Sequence, residues 1–86
     1  MRYVADIVVK LKKSILDPQG EAVRSALGSM GYTGVQDVRI GKRIEVRLEA
    51  ANEAECRQAV DEMCSRLLAN TVMETYDFSV REEPGE

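Results

Sequence analysis

The sequence predicts an α+β domain: two helices packed on one face of an antiparallel sheet, in the order βα(ββ)αβ and with a ferredoxin-like arrangement. Three observations predict it. Apolar residues alternate at period two over 2–13, 35–49 and 75–80. They recur at helical spacing over 22–30 and 56–68. A side chain suited to capping stands before each helical stretch.

The first strand spans 2–13. Tyr3, Ala5, Ile7, Val9 and Leu11 share one face, and Asp6, Lys10 and Lys12 mark the other. Val4 and Val8 break the polar face, which suggests that a partner covers part of it. Asp17-Pro18 then opens a helix. Asp is a preferred N-cap, and Pro suits the first helical position because its missing N–H would be unpaired there. Ala22, Val23, Ala26, Leu27 and Met30 form its apolar stripe, and Gly31 is a natural C′ residue. Gly28 inside the helix costs about 1 kcal/mol against Ala, a cost that close packing on the sheet would explain.

From Val35 to Glu49 the alternation resumes, interrupted at Gly41-Lys42. A two-residue loop there would mix core with solvent faces. A three-residue loop over 41–43, or a continuous strand bent at Gly41, keeps Val38, Ile40, Ile44, Val46 and Leu48 together. The central strand pair is therefore either a hairpin or one long bent strand, and the long strand would need a neighbouring chain to pair with. Asn52-Glu53-Ala54-Glu55 resembles a capping box. Behind it Cys56, Ala59, Val60, Met63, Cys64, Leu67 and Leu68 make the strongest helical stripe, which Asn70 can end in the left-handed conformation. Tyr76, Phe78 and Val80 alternate with Thr75, Asp77 and Ser79 in a last strand.

Length sets the organisation. The chain has 86 residues, enough for one core and not two. Residues 1–81 are assigned to a single domain and 82–86 to a frayed acidic tail. So small a core is marginal, which makes association with another chain the natural expectation.

Composition excludes several functions. There is no His, hence no Ser-His-Asp or Cys-His pair and no His-bearing zinc site. Net charge is −3 and aromatics are 5%. Nucleic-acid binding is not expected, because it needs a basic footprint and stacking rings. No apolar run approaches the ~20 residues of a membrane span, and Asp6 falls where a signal peptide needs apolar residues. The expectation is a cytoplasmic protein with no membrane partner. Cys56 and Cys64 would lie roughly 12 Å apart along one helix, too far for a disulfide. Two thiolates are too few for structural zinc. They read as core cysteines, and neither a metal site nor a catalytic residue is expected.

Three patches are the interface candidates. Asp17, Gln19 and Gly20 open the first helix, where free N–H groups can hold an anion. Arg39, Gly41 and Lys42 place cations around a glycine, either as guards of a strand edge or as a surface for an acidic partner. Asn70, Glu74 and Tyr76 lie at the last turn and strand, where Glu74 and Tyr76 point the same way with no second acid in view.

Taken in order, Leu16-Asp17-Pro18-Gln19-Gly20, Gly31-Tyr32, Val38-Arg39-Ile40-Gly41-Lys42, Met63-Cys64, Leu67-Leu68-Ala69-Asn70, Glu74 and Tyr76 closely resemble the PurS family. That family is the small subunit of phosphoribosylformylglycinamidine synthase. Thr71 departs from a common Pro, and Thr75 from a frequent acid. The resemblance implies a non-catalytic assembly subunit in de novo purine biosynthesis. It would bridge the glutaminase (PurQ-type) and synthetase (PurL-type) subunits and support ammonia transfer. The complex is a ligase that forms a carbon–nitrogen bond at the expense of ATP, with glutamine as amido donor. It turns formylglycinamide ribonucleotide, glutamine and ATP into formylglycinamidine ribonucleotide, glutamate, ADP and phosphate. This chain would form a homodimer or higher homo-oligomer and carry no cofactor; ATP and Mg are implied for the synthetase subunit. The alternative is a ferredoxin-like module binding a small effector, suggested by Gly28, Gly31 and Gly34.

Overall fold

The computed structural model describes residues 1–84. Three strands, β1 (Arg2–Leu11), β2 (Gly41–Glu49) and β3 (Glu74–Glu83), form an antiparallel sheet in the order β2-β1-β3. Helix α1 (Pro18–Ser29) follows β1. Helix α2 (Glu53–Met63) follows β2 and runs into a π-turn over Cys64–Leu68. The α+β class and the antiparallel pairing are as the sequence predicts.

The core lies between the sheet and α2. Tyr3, Ala5, Ile7 and Val9 project from the central strand against Cys56, Val60, Cys64 and Ala69. Central position explains their burial, since β1 is flanked on both edges. Ile44, Val46 and Leu48 of β2, with Tyr76, Phe78 and Val80 of β3, extend this apolar face on either side and stay half-buried. Both cysteines are free and buried. Burial pushes both thiols up, so they sit as neutral, unreactive thiols. On the other face Val4 is fully buried. The register sets it between Arg47 and Arg81, whose aliphatic stems can cover it, so no partner is needed to explain it.

Helix α1 is where the arrangement departs from two helices on one face. Of its residues only Gly20 is buried. Val23 is 40% and Met30 70% exposed. The helix stands off the sheet, and the chain measures 51 × 30 × 15 Å with a radius of gyration of 16.8 Å. A compact chain of this length would have one of about 12 Å. Gly28 is therefore not there for close packing: a Cβ would meet nothing within 4 Å.

Other local expectations are corrected. Residues 35–40 are irregular, and only Gly41–Glu49 is strand. The central segment is thus neither a hairpin nor a strand running from 35. Strand β3 continues through Glu82 and Glu83, opposite Tyr3 and Arg2, so these two are not frayed; Gly85 and Glu86 lie outside the described residues. The π-turn closes with the Ala69 N–H donating to the Cys64 carbonyl at 2.9 Å. Its wider turn shifts the helical phase. Leu67, expected in the core, is 83% exposed, while Ala69 is buried. Asn70 is not left-handed either, because among the described residues none other than glycine has positive φ. Gly31 does occupy the left-handed region, with φ 100°, as a C′ glycine should.

Candidate interface site

Asp17 caps α1 as its sequence position predicts, and does more. Its Oδ1 accepts from the Gly20 N–H at 2.9 Å, and its Oδ2 from the Ile40 N–H at 2.7 Å. One carboxylate thus ties the helix start to the segment that leads into β2. The residue is 5% exposed. The bonds from Gly20 and Ile40 hold its carboxyl below the usual carboxylate range, against desolvation; the charge of Arg39 acts the same way.

Arg39 completes the clasp from the other side. Its Nη2 donates to the carbonyls of Lys12 at 2.6 Å, Ile15 at 3.2 Å and Leu11 at 3.4 Å. The guanidinium therefore gathers carbonyls from the end of β1 and the turn that follows it, where the Lys12 carbonyl also accepts from the Ile15 N–H at 2.9 Å. Gly20 and Gly41 are demanded by close approach. A Cβ on Gly20 would fall 2.1 Å from the Val38 carbonyl oxygen, and one on Gly41 2.3 Å from that of Val9.

Asp17, Gln19, Gly41, Lys42 and Glu74 come together around one cleft of about 320 Å³. The first two patches, separate in sequence, are one place in the fold. Asn70 organises the turn beside it: its Oδ1 accepts from the Val72 N–H at 3.1 Å and its carbonyl from the Glu74 N–H at 2.7 Å. Glu74 Oε1 in turn accepts from the Asn70 N–H at 2.7 Å. Tyr76 belongs elsewhere. Its hydroxyl donates to Asp61 Oδ1 at 2.7 Å, linking β3 to α2, and this bond pushes the phenol up. Asp61 is the acid that sequence reasoning left unpaired with Tyr76; the missing signal was the helix–strand packing that brings them together. Glu74 and Tyr76 are therefore each occupied by a different partner.

Among the described residues no three or more Cys, Asp or Glu gather as a metal site, and no helix is long and apolar enough to cross a membrane. Of the cleft's polar side chains, the carboxylates of Asp17 and Glu74 are spent on the chain's own backbone.

These features define a small α+β domain with a three-stranded antiparallel sheet, one helix on it and a second helix clasped beside it. The sequence matches the family described as PurS, phosphoribosylformylglycinamidine (FGAM) synthase, over residues 4–82. The chain belongs to the PurS family. It is 54% identical over 78 residues to the phosphoribosylformylglycinamidine synthase subunit PurS of a Synechocystis strain, covering 91% of this chain and 78% of that one. The fold matches the crystal form of Thermus thermophilus PurS with a TM-score of 0.86 at 42% identity, covering 98% of this chain and 100% of that one. It also matches a chain of the structure of PurLQS from Thermotoga maritima, with a TM-score of 0.83 at 31% identity, covering 96% and 99%.

Proposed function

We propose that this chain is the PurS-type assembly subunit of phosphoribosylformylglycinamidine synthase, bringing a glutaminase and a synthetase subunit together and supporting passage of ammonia between them. Its membership of the PurS family along almost its whole length carries the reading. The inventory agrees with it. A glutaminase needs an activated nucleophile with a base nearby, and this chain has no His and two thiols held neutral by burial. Phosphoryl chemistry needs metal ligands and a phosphate cradle, and those belong to the synthetase partner with its ATP and Mg. The chain self-associates as a homodimer or higher homo-oligomer, which covers surface that the single copy leaves open. The cleft of Asp17, Gln19, Gly41 and Lys42 is the surface offered to the partner subunits, and α1 is the arm held beside it.

Reconstitution tests the proposal. Glutamine-dependent synthesis by the glutaminase and synthetase subunits should require this chain, while synthesis from added ammonium should proceed without it. Equal glutamine-dependent rates with and without the chain would overturn the reading.

A further inference from the structure

All four lysines of the chain, Lys10, Lys12, Lys13 and Lys42, fall at one end of the sheet. The remaining eight of its twelve cations are arginines, and Arg24, Arg43, Arg47 and Arg57 are held in ion pairs. Among the described residues no lysine enters an ion pair. Protection of a sheet edge does not account for the cluster. Lys10 is on the central strand, and Lys12 and Lys13 lie beyond its end. In a chain of net charge −3, this end is a local reversal of sign.

Lys10, Lys12, Lys13, Arg39 and Thr75 line one cavity of about 350 Å³, a size that suits a small ligand. The register sets Lys10 opposite Thr75. The Lys12 N–H donates to the Met73 carbonyl at 2.9 Å, which fastens the turn after β1 to the segment that leads into β3. Arg39 is anchored by the bonds of its Nη2 to the Lys12, Ile15 and Leu11 carbonyls. Those bonds use Nη2 alone. Among the described residues its Nε and Nη1 donors stay free, on a planar group already fixed in place. Nearby acids do not neutralise the cluster. Asp17 and Glu74 accept from backbone N–H groups, and Asp77 stands two residues further along β3, opposite Val8.

Ammonium groups and a guanidinium are the side chains that recognise phosphate. A single phosphate monoester carries a charge of about −1.5 to −2, which leaves half of these four cations unbalanced. A chain of two or three phosphates matches them. No aromatic residue lines the cavity, so it offers a nucleobase nothing to stack on.

We propose that this cavity binds a polyphosphate chain, free or carried by a nucleotide, and recognises its charge and not the nucleoside attached to it. Calorimetry of the full chain alone, without magnesium and at about 0.15 M salt, tests this with sodium tripolyphosphate, ATP, GTP and AMP. The first three should bind with dissociation constants within about threefold of one another, and AMP about tenfold or more weakly, because it brings fewer charges to the same cations. Lys10→Glu and Lys13→Glu, both at exposed positions, should each weaken tripolyphosphate binding about tenfold or more by turning an attraction into a repulsion. Arg2→Glu makes the same change of charge about 26 Å away along β1. It should alter binding less than about twofold, since that distance exceeds the screening length of about 8 Å. Circular dichroism establishes that each variant is folded. Four results would each overturn the site: no binding of tripolyphosphate, AMP binding as tightly as ATP, ATP binding more than about tenfold tighter than tripolyphosphate, or an equal loss from Arg2→Glu. The synthase reading is tested separately by reconstitution and stands or falls without this site.

Discussion

β1 and α1 are both amphipathic, and the structure treats them in opposite ways. The apolar face of β1 is closed by neighbours on both edges and by α2 above it. The stripe of α1 has almost no cover, and the helix is held by polar pins at its N-terminal end: the Asp17 carboxylate and the Arg39 guanidinium. The sheet with α2 is stabilised by burial, which acts on many residues at once. The arm is fixed by a few directional bonds, which set its place without covering its surface. The core is closed within the chain, and the arm leaves its apolar stripe open.

The contrast is sharpest in the size of mutational effects. Ile7 is fully buried, and Ile7→Ala should cost about 2–5 kcal/mol of global stability by lost burial and cavity formation. Met30→Ala on the exposed stripe should change it by less than about 0.5 kcal/mol. Urea unfolding of both variants checks this. A large loss from Met30→Ala in the isolated chain would mean that α1 belongs to the common core.

Two glycines of the same helix divide along the same line. Gly20→Ala drives a Cβ into the Val38 carbonyl and should cost about 1–3 kcal/mol as overpacking. Gly28→Ala meets open space and should stabilise the helix by up to about 1 kcal/mol. Amide exchange over 18–30 reads both: faster in the first variant, slower in the second. Slower exchange in both would place the clasp elsewhere.

Locality decides how much of this the sequence carries. The alternation in β1 and β3, the caps at Asp17 and Asn52 and the C′ glycine Gly31 are set by residues within a few positions, and all stand where the sequence puts them. Asp17 was legible as a cap but not as a tie to Ile40, and Gly20, Arg39 and Gly41 were legible as unusual but not in their use. Arg39 bonds carbonyls 24 to 28 positions away, and no local pattern encodes that. The stripe of α1 shows that something should cover it, without naming what, and the usual partner in an α+β domain is the chain's own sheet. The π-turn escapes for another reason: one extra residue per turn shifts the phase, so a continuous apolar stripe misplaces Leu67.

The smallest effect separates the regions by pH. The folded state holds the Asp17 carboxyl below its ordinary value, chiefly through the N–H groups of Gly20 and Ile40. A depressed carboxylate contributes stability that is present above its unfolded pKa of about 3.9 and is lost as pH falls through the folded value. The clasp should therefore weaken only below about pH 4. It should do so locally: protonated Asp17 releases the Ile40 N–H and the helix start, whereas the β1 core contains no titrating side chain in that range. In Asp17→Asn the side-chain oxygen can still cap α1, but the charge that both N–H groups favour is gone. That variant should show faster amide exchange at Gly20 and Ile40 at neutral pH and no further rise on acidification. If the wild type instead loses protection at Ile7 and Ile40 together as the pH is lowered, the arm and the sheet unfold as one unit, and the division between a buried core and a pinned helix does not hold.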